Sequence, residues 1–381
     1  MATFTNLVPD AYAALDVVSR ELCGLIPSVM RDSSADQMPL GASLRSPVAP
    51  VNTAGRDITP AMAFPTRADQ TIGNVAFTIS KSRCFPFSWT GEEQKSLSRG
   101  PGMLTIMQSQ IAQAYRAAIA EISTDIWAAA RVAATRAFGT AGTTAFATNL
   151  GESAQVRKIL DDNGAPASGR SLVINTTAGA ALRTLLNNPL TANNTLSAGI
   201  GNQGVLIDVN GFAIREDNII STVTKGTGTS YTSSAAGFAI GTTSIPIITG
   251  SGTVLAGDII TFAGDTNKYV VTTGVTAAGT IVIAAPGLRQ AIPASATAMT
   301  IGANFTANLA FTDNAILLGT RLPAAPDQQD LAVLRETITD PVSGLSFELC
   351  AWPGQRMLTY EVGISWGVAI EKPEHLAIML G

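Results

Sequence analysis

Residues 74–97 read NVAFTISKSRCFPFSWTGEEQKSL. Val75, Phe77 and Ile79 alternate with smaller or polar neighbours, and Phe85, Phe87 and Trp89 do the same ten residues on. Strict alternation places each trio on one face of a strand. Lys81, Ser82 and Arg83 lie between the trios, which predicts a hairpin with its bend there. A two-stranded ribbon is marginal in water, so this one has to lie on something. Gly100-Pro101-Gly102 then punctuates the chain. After it Leu104, Met107, Ile111, Tyr115, Ala118, Ile122, Ile126, Ala129 and Ala133 recur at helical spacing with no Pro or Gly among them. A helix from Met103 to Phe138 is predicted, about 54 Å long at 1.5 Å per residue, with Gly139 as its stop.

Before this core stretch, residues 5–26 carry an apolar stripe through Tyr12, Leu15, Val18, Leu22 and Leu25, a helical arm. Pro39, Pro47, Pro50, Pro60 and Pro65 predict extended chain over 39–66 without regular elements. After it, residues 151–161 read as a short helix ended at DDNG, and RSLVINTTA as a strand feeding a helix over 178–187. GVLIDV and FAIRE flank Asn210-Gly211, the dipeptide that favours a tight hairpin turn. Residues 222–306 hold only Lys225, Asp258, Asp265, Lys268 and Arg289 as charges. Their runs SIPII, DIITF, YVVTT, TIVIA and AMTIG predict a small antiparallel barrel or sandwich. The pattern over 307–321 looks helical, LSFELCAW is a strand, the even positions Leu358 to Ile370 form a long strand, and LAIML forms a last short one.

The 381 residues are 46% hydrophobic, 14% charged and 6% aromatic, with a formal net charge of −4. Apolar content this high excludes disorder of the whole chain, and charge this thin suggests a surface covered by other subunits. No run of basic residues offers a phosphate footprint, so nucleic-acid binding is not the main task. Cys23, Cys84 and Cys350 lie too far apart for a CxxC metal site, and their odd number excludes a full disulfide framework. The first twenty residues lack a basic region followed by an apolar one, and no apolar run reaches 18 residues.

Catalytic chemistry is hard to place. His375 is the one histidine, and it reads as a surface or interface residue. The pairs Glu92/Glu93 and Asp161/Asp162 read as solvated loops or helix starts rather than acid/base partners. Gly199-Ile200-Gly201-Asn202-Gln203-Gly204 matches GxGxxG, but no strand precedes it and no helix follows, so it reads as a glycine loop. The Phe85/Phe87/Trp89 row could stack nucleobases; with so little basic charge, a packed strand face within or between subunits is the better reading. No catalytic, cofactor or metal residue is assigned.

The order of these parts resembles the major capsid proteins of tailed bacteriophages, the Hong Kong 97-type fold. Three stretches carry the resemblance: 74–97 leading into the helix at Met103; GVLIDVNGFAIREDNII (204–220); and NLAFTDNAILLGTRLPAAP (308–326) with SGLSFELCAWPGQRMLTYEVGISWGVAIEKPEHLAIML (343–380). A β insertion is similar to the branch typified by the coat protein of the short-tailed Salmonella phage. The resemblance implies an α+β fold with a long spine helix, an extended β-ribbon loop and an inserted all-β domain. It divides the chain into an arm (1–38), an extended loop (39–99), a spine helix and peripheral domain (100–155, completed by 345–381), an axial domain (156–221, completed by 307–344) and the inserted domain (222–306).

It further implies a non-enzymatic shell subunit, in hexamers and pentamers, enclosing double-stranded DNA without sequence-specific contact. The location implied is the virion, with assembly in the host cytoplasm. The short arm lacks a long charged prefix, which points to a separate scaffolding protein; a portal protein is a further partner, and no membrane is involved. Lys81, Arg83, Phe85, Phe87, Trp89, Glu92 and Glu93 are the candidate inter-subunit contacts. Some relatives crosslink through Lys and Asn, but no Asn partner for Lys81 can be named, so no crosslink is expected. An encapsulin-like compartment is the alternative within the fold. An enzyme with a β accessory domain and a surface adhesin are alternatives outside it.

Overall fold

The computed structural model describes residues 11–15, 23–48, 73–98, 103–186, 208–326, 330–340 and 344–381. The glycine loop at 199–204, most of the proline-rich stretch and most of the first strand of the Asn210-Gly211 hairpin lie outside them. Residues 11–15 are helical, with Ala11 and Leu15 buried. The strands in chain order begin with β1 (Met30–Met38), β2 (Ser43–Val48), β3 (Gly73–Thr78), β4 (Lys81–Thr90), β5 (Arg136–Phe138), β6 (Arg170–Ile174) and β7 (Ala213–Glu216). The low-charge region holds β8 (Thr222–Val223), β9 (Thr232–Ser233), β10 (Ser244–Ile248), β11 (Ile259–Phe262), β12 (Lys268–Thr273), β13 (Gly279–Ile283) and β14 (Met299–Ile301). Then come β15 (Phe305–Thr312), β16 (Ile316–Pro323), β17 (Leu334–Thr339), β18 (Ser346–Gly354), β19 (Met357–Ile370) and β20 (Leu376–Leu380). The helices are α1 (Gly91–Ser98), α2 (Met103–Ala133), α3 (Gly151–Asp162) and α4 (Thr176–Leu186).

The apolar even positions of 358–370 become β19, the longest strand, because that row buries Tyr360, Val362, Ile364 and Trp366. β4 pairs along one side of it, from Met357↔Thr90 to Trp366↔Lys81. On its other side lie β18 over 357–363 and β16 over 365–370. β17 extends β18, and β1 joins β16 in parallel. Helix α2 lies on this six-stranded sheet, burying Ile111, Tyr115, Ala118, Ile122 and Ile126. The Tyr115 ring meets Phe347 edge-on at 5.0 Å.

The second sheet has twelve strands, with β15, β20, β5 and β12 in consecutive order at its middle. Its low-charge half, β8–β14, contains every β run expected from the sequence. Tyr231, Ile245, Ile247, Ile260, Phe262, Tyr269, Val271 and Ile281 give that half a core of its own. It is also stitched to the rest: β12 pairs with β5 through Lys268↔Ala137 and Tyr269↔Arg136.

Four expectations about the elements need correction. Residues 74–79 and 81–90 do not form a hairpin: β3 pairs with β2, from Ser43↔Thr78 to Val48↔Gly73, and β4 pairs with β19. No glycine or Asn-Gly sits at 79–83, and the polar residues taken as a bend are strand residues: Lys81 and Arg83 are met by α2, and Ser82 by Ser365 of β19. Pro47, expected to bar regular structure, lies within β2, which as half of a two-stranded ribbon has one side of its backbone unpaired among the described residues. The long helix ends at Ala133, about 46 Å from its start. Arg136–Phe138 instead joins β20 and β12, so sheet pairing on both sides outweighs helix propensity. Residues 305–312 and 316–323 are strands, not helix, because both are buried on both faces and therefore read as continuous apolar runs.

Candidate assembly surface

β2 and β3 form a two-stranded sheet that pairs with no third strand among the described residues. Ser43, Arg45, Ala76 and Thr78 are exposed, while Phe77 is buried. The ribbon is rooted where it leaves the body. Phe77 and Ile79 pack with Leu317, beside Met38 and Ala369. Ile79 N–H donates to the Ala42 carbonyl and Gly41 N–H to the Ile79 carbonyl, each at 3.0 Å, so the two ends of the ribbon segment sit side by side. Ser80 N–H donates to the Trp366 carbonyl at 3.0 Å.

Two glycines make the root possible. Gly319 and Gly367 are cross-strand partners on β16 and β19. A Cβ on Gly319 would overlap the Phe77 ring, and one on Gly367 would strike the Thr78 carbonyl. The bare backbone forms the seat on which the ribbon's base lies. Sequence reasoning missed both residues. The available signal was an isolated glycine inside an apolar strand, which marks close approach of another backbone.

From the root the chain enters β4, whose odd positions turn toward α2. Lys81 Nζ lies 3.1 Å from Glu121 Oε1 and 2.9 Å from Asp125 Oδ1. Its hydrogen bond with Asp125 holds the ammonium above its ordinary range, against the pull of burial. Arg83 Nε lies 3.2 Å from Glu121 Oε1. Trp366 Nε1–H donates to the other Asp125 oxygen at 2.9 Å, with Lys81 5.8 Å from the ring centre. Phe87 stacks on Tyr360 at 5.4 Å, and buried Trp89 donates to Gln110 Oε1 at 2.6 Å. Half-buried Phe85 and Phe87 line a groove of about 340 Å3 whose other wall is Gln113, Ala114 and Ala117.

Glu92 and Glu93 open α1. Thr90 donates from both N–H and Oγ1 to Glu93 Oε2 at 2.9 Å, and Glu93 N–H returns to Thr90 Oγ1 at 3.3 Å. This reciprocal capping box fixes the turn from β4 into α1. The Thr90 hydrogen bonds draw the Glu93 carboxyl below its usual range. The structure thus gathers Lys81, Arg83, Phe85, Phe87 and Trp89 on one strand face and sets Glu92 and Glu93 at the adjoining helix start. Asp161 and Asp162 are spent on Arg170 and Arg136. His375, expected at a surface or interface, is buried.

Among the described residues no three His, Cys, Asp or Glu side chains group as metal ligands. No protein-family model and no curated protein sequence matches this chain. Solved structures do align along its length. A chain of Mycobacterium phage Che8 is 12% identical with a TM-score of 0.44, over 100% of this chain and 91% of that one. The capsid of the native GTA particle is 9% identical with a TM-score of 0.47, over 95% and 90%. The virus-like particle from Pyrococcus furiosus is 10% identical with a TM-score of 0.44, over 98% and 99%.

Proposed function

We propose that this chain is a major capsid protein, a structural subunit that assembles into a closed shell. The observation that carries the reading is the ribbon β2–β3. It is rooted firmly at Phe77, yet beyond its root it has no third strand and no core of its own among the described residues. A ribbon in that condition gains stability by lying on another subunit. The long helix on a sheet gives a rigid body from which to present it, and 14% charge overall suits extensive contacts between copies.

The finer parts rest on the sequence resemblance. The shell is of the Hong Kong 97 type, icosahedral, built of hexamers and pentamers around double-stranded phage DNA, and assembled in the host cytoplasm with a separate scaffolding protein and a portal. The ribbon belongs to the extended loop of 39–99, and 222–306 is an inserted β domain. The parts of the row from Lys81 to Glu93 that α2 leaves uncovered, exposed Arg83, Glu92 and Glu93 and the groove edged by Phe85 and Phe87, contact neighbouring subunits. Each contact need only be weak, because a subunit in a shell touches several neighbours at once.

The test exploits the paired ends of the ribbon. Ser46 and Val75 face each other across it. Replacing residues 47–74 by Asn-Gly closes a short hairpin above the intact Phe77 root. The shortened protein is expected to keep its thermal transition and lose particle formation in light scattering and electron microscopy, with or without its scaffolding partner. Normal shells from it would refute the reading.

A further inference from the structure

The chain's one histidine lies where its two large sheets are joined. The short turn Pro373–His375 carries the chain from β19 in one sheet to β20 in the other. The turn Asp313–Ala315 carries it between β15 and β16, the same two sheets. The crossings are tied together: Glu371 and Lys372 N–H both donate to the Ala315 carbonyl, at 2.9 and 3.3 Å. From the side, Asn163 after α3 donates to the Glu374 carbonyl at 2.7 Å. Thr135 donates from N–H and Oγ1 to the Leu376 carbonyl, at 3.1 and 2.9 Å.

His375 is 7% exposed, and its Nδ1 has no hydrogen-bond partner. The charges that act on it are those of Arg170 from β6, and of Lys372 and Glu374 from its own segment. Arg170 is buried too, held by the Pro166 and Ala165 carbonyls and by Asp161, with one guanidinium nitrogen unpartnered. A neutral imidazole fits this setting. An imidazolium would be a buried charge acted on by two cations and one carboxylate, with no acceptor in place for its second N–H.

We propose that His375 is an acid-sensitive lock on the paired crossings, closed while the imidazole is neutral and opened by its protonation. Burial pushes the group below its ordinary value; Lys372 and Arg170 act the same way, and Glu374 opposes them. The sign follows from linkage. The folded junction prefers neutral histidine, so its stability is full above the unfolded value of about 6.5 and is lost as pH falls toward the folded value. Opening would let the two sheets shift relative to each other. This inference does not depend on the shell reading.

A single histidine makes the test unambiguous. In full-length protein carrying 13C-labelled histidine, one imidazole resonance is followed against pH. Its midpoint is expected below the ordinary histidine value of about 6.5. Amide exchange over 313–317 and 371–377, corrected for intrinsic rate, should rise in the same window by up to about tenfold per pH unit. His375→Gln should abolish that rise, and Lys372→Gln, which removes one of these cations, should move the wild-type midpoint upward. A midpoint at or above about 6.5, or the same rise in His375→Gln, overturns the proposal. Should His375→Gln fail to fold, the midpoint and its response to Lys372→Gln decide the matter.

Discussion

The ribbon β2–β3 and the low-charge half of the large sheet, β8–β14, are both β structure with few charges, and they solve burial in opposite ways. The β8–β14 region closes over its own core and is clamped to the body. Arg136 reaches Asn267 and Asp162 at 3.2 Å, and Arg289 donates to the Asp162 carbonyl at 2.7 Å. The ribbon contributes one phenylalanine to the body and then runs on without a described partner strand. The difference separates what a fold needs from what an assembly needs. Damage to β8–β14 should appear as lost stability, and damage to the outer ribbon as lost assembly.

The largest effect expected is the loss of shells on excision of residues 47–74, with the body's thermal stability unchanged. Gly319→Val should follow. Its side chain would occupy the Phe77 seat, and overpacking of that kind costs about 1–3 kcal/mol. Calorimetry would show the lower melting temperature, and electron microscopy should find shells absent or malformed. Unaltered shells would mean that the root does not aim the ribbon.

Phe77→Ala removes the ring from the same seat and should cost about 3 kcal/mol. Arg136→Met probes the other region: it removes a buried guanidinium, leaves Asp162, Asn267 and the Ile159 carbonyl without their donor, and should cost about 2–3 kcal/mol in denaturant unfolding. Shells should still form from the Arg136 variant at low temperature, whereas Phe77→Ala should impair assembly under the same conditions. If the two behave alike, the division between folding and assembly regions fails. The smallest effect should come from Lys81 and Asp125. A double-mutant cycle with Lys81→Met and Asp125→Asn should give a coupling below about 1 kcal/mol, because the pair is partly exposed.

How far the sequence could be read depended on whether a segment's partners were local. The α2 stripe, β19 and the five runs inside 222–306 were legible, since one-face or short-run burial leaves a periodic trace. So was the turn at Asn210-Gly211, where φ values of 52° and 78° need those residues. Pairing was not legible. β3 and β4 both alternate correctly, and alternation carries no information about which strand lies alongside. The end of α2 was misread because Arg136–Phe138 is claimed by two strands, one about 240 residues away and one about 130. Of the site, Phe85, Phe87 and Trp89 were legible as one face, whereas Lys81 and Arg83, read as a bend, were not. The cover on it, Glu121 and Asp125, and the seat at Gly319 and Gly367 were not, because each depends on contacts distant in sequence.

The central claim is that the ribbon finds on another subunit the partner it lacks at home. Amide exchange measured on size-separated material tests it directly. Residues 43–48 and 73–78 should exchange rapidly in unassembled protein and be strongly protected in large particles, while β8–β14 should be equally protected in both. Equal exchange of the ribbon in the two fractions would contradict the account, as would a protein that forms no large particle with or without the scaffolding protein proposed for it.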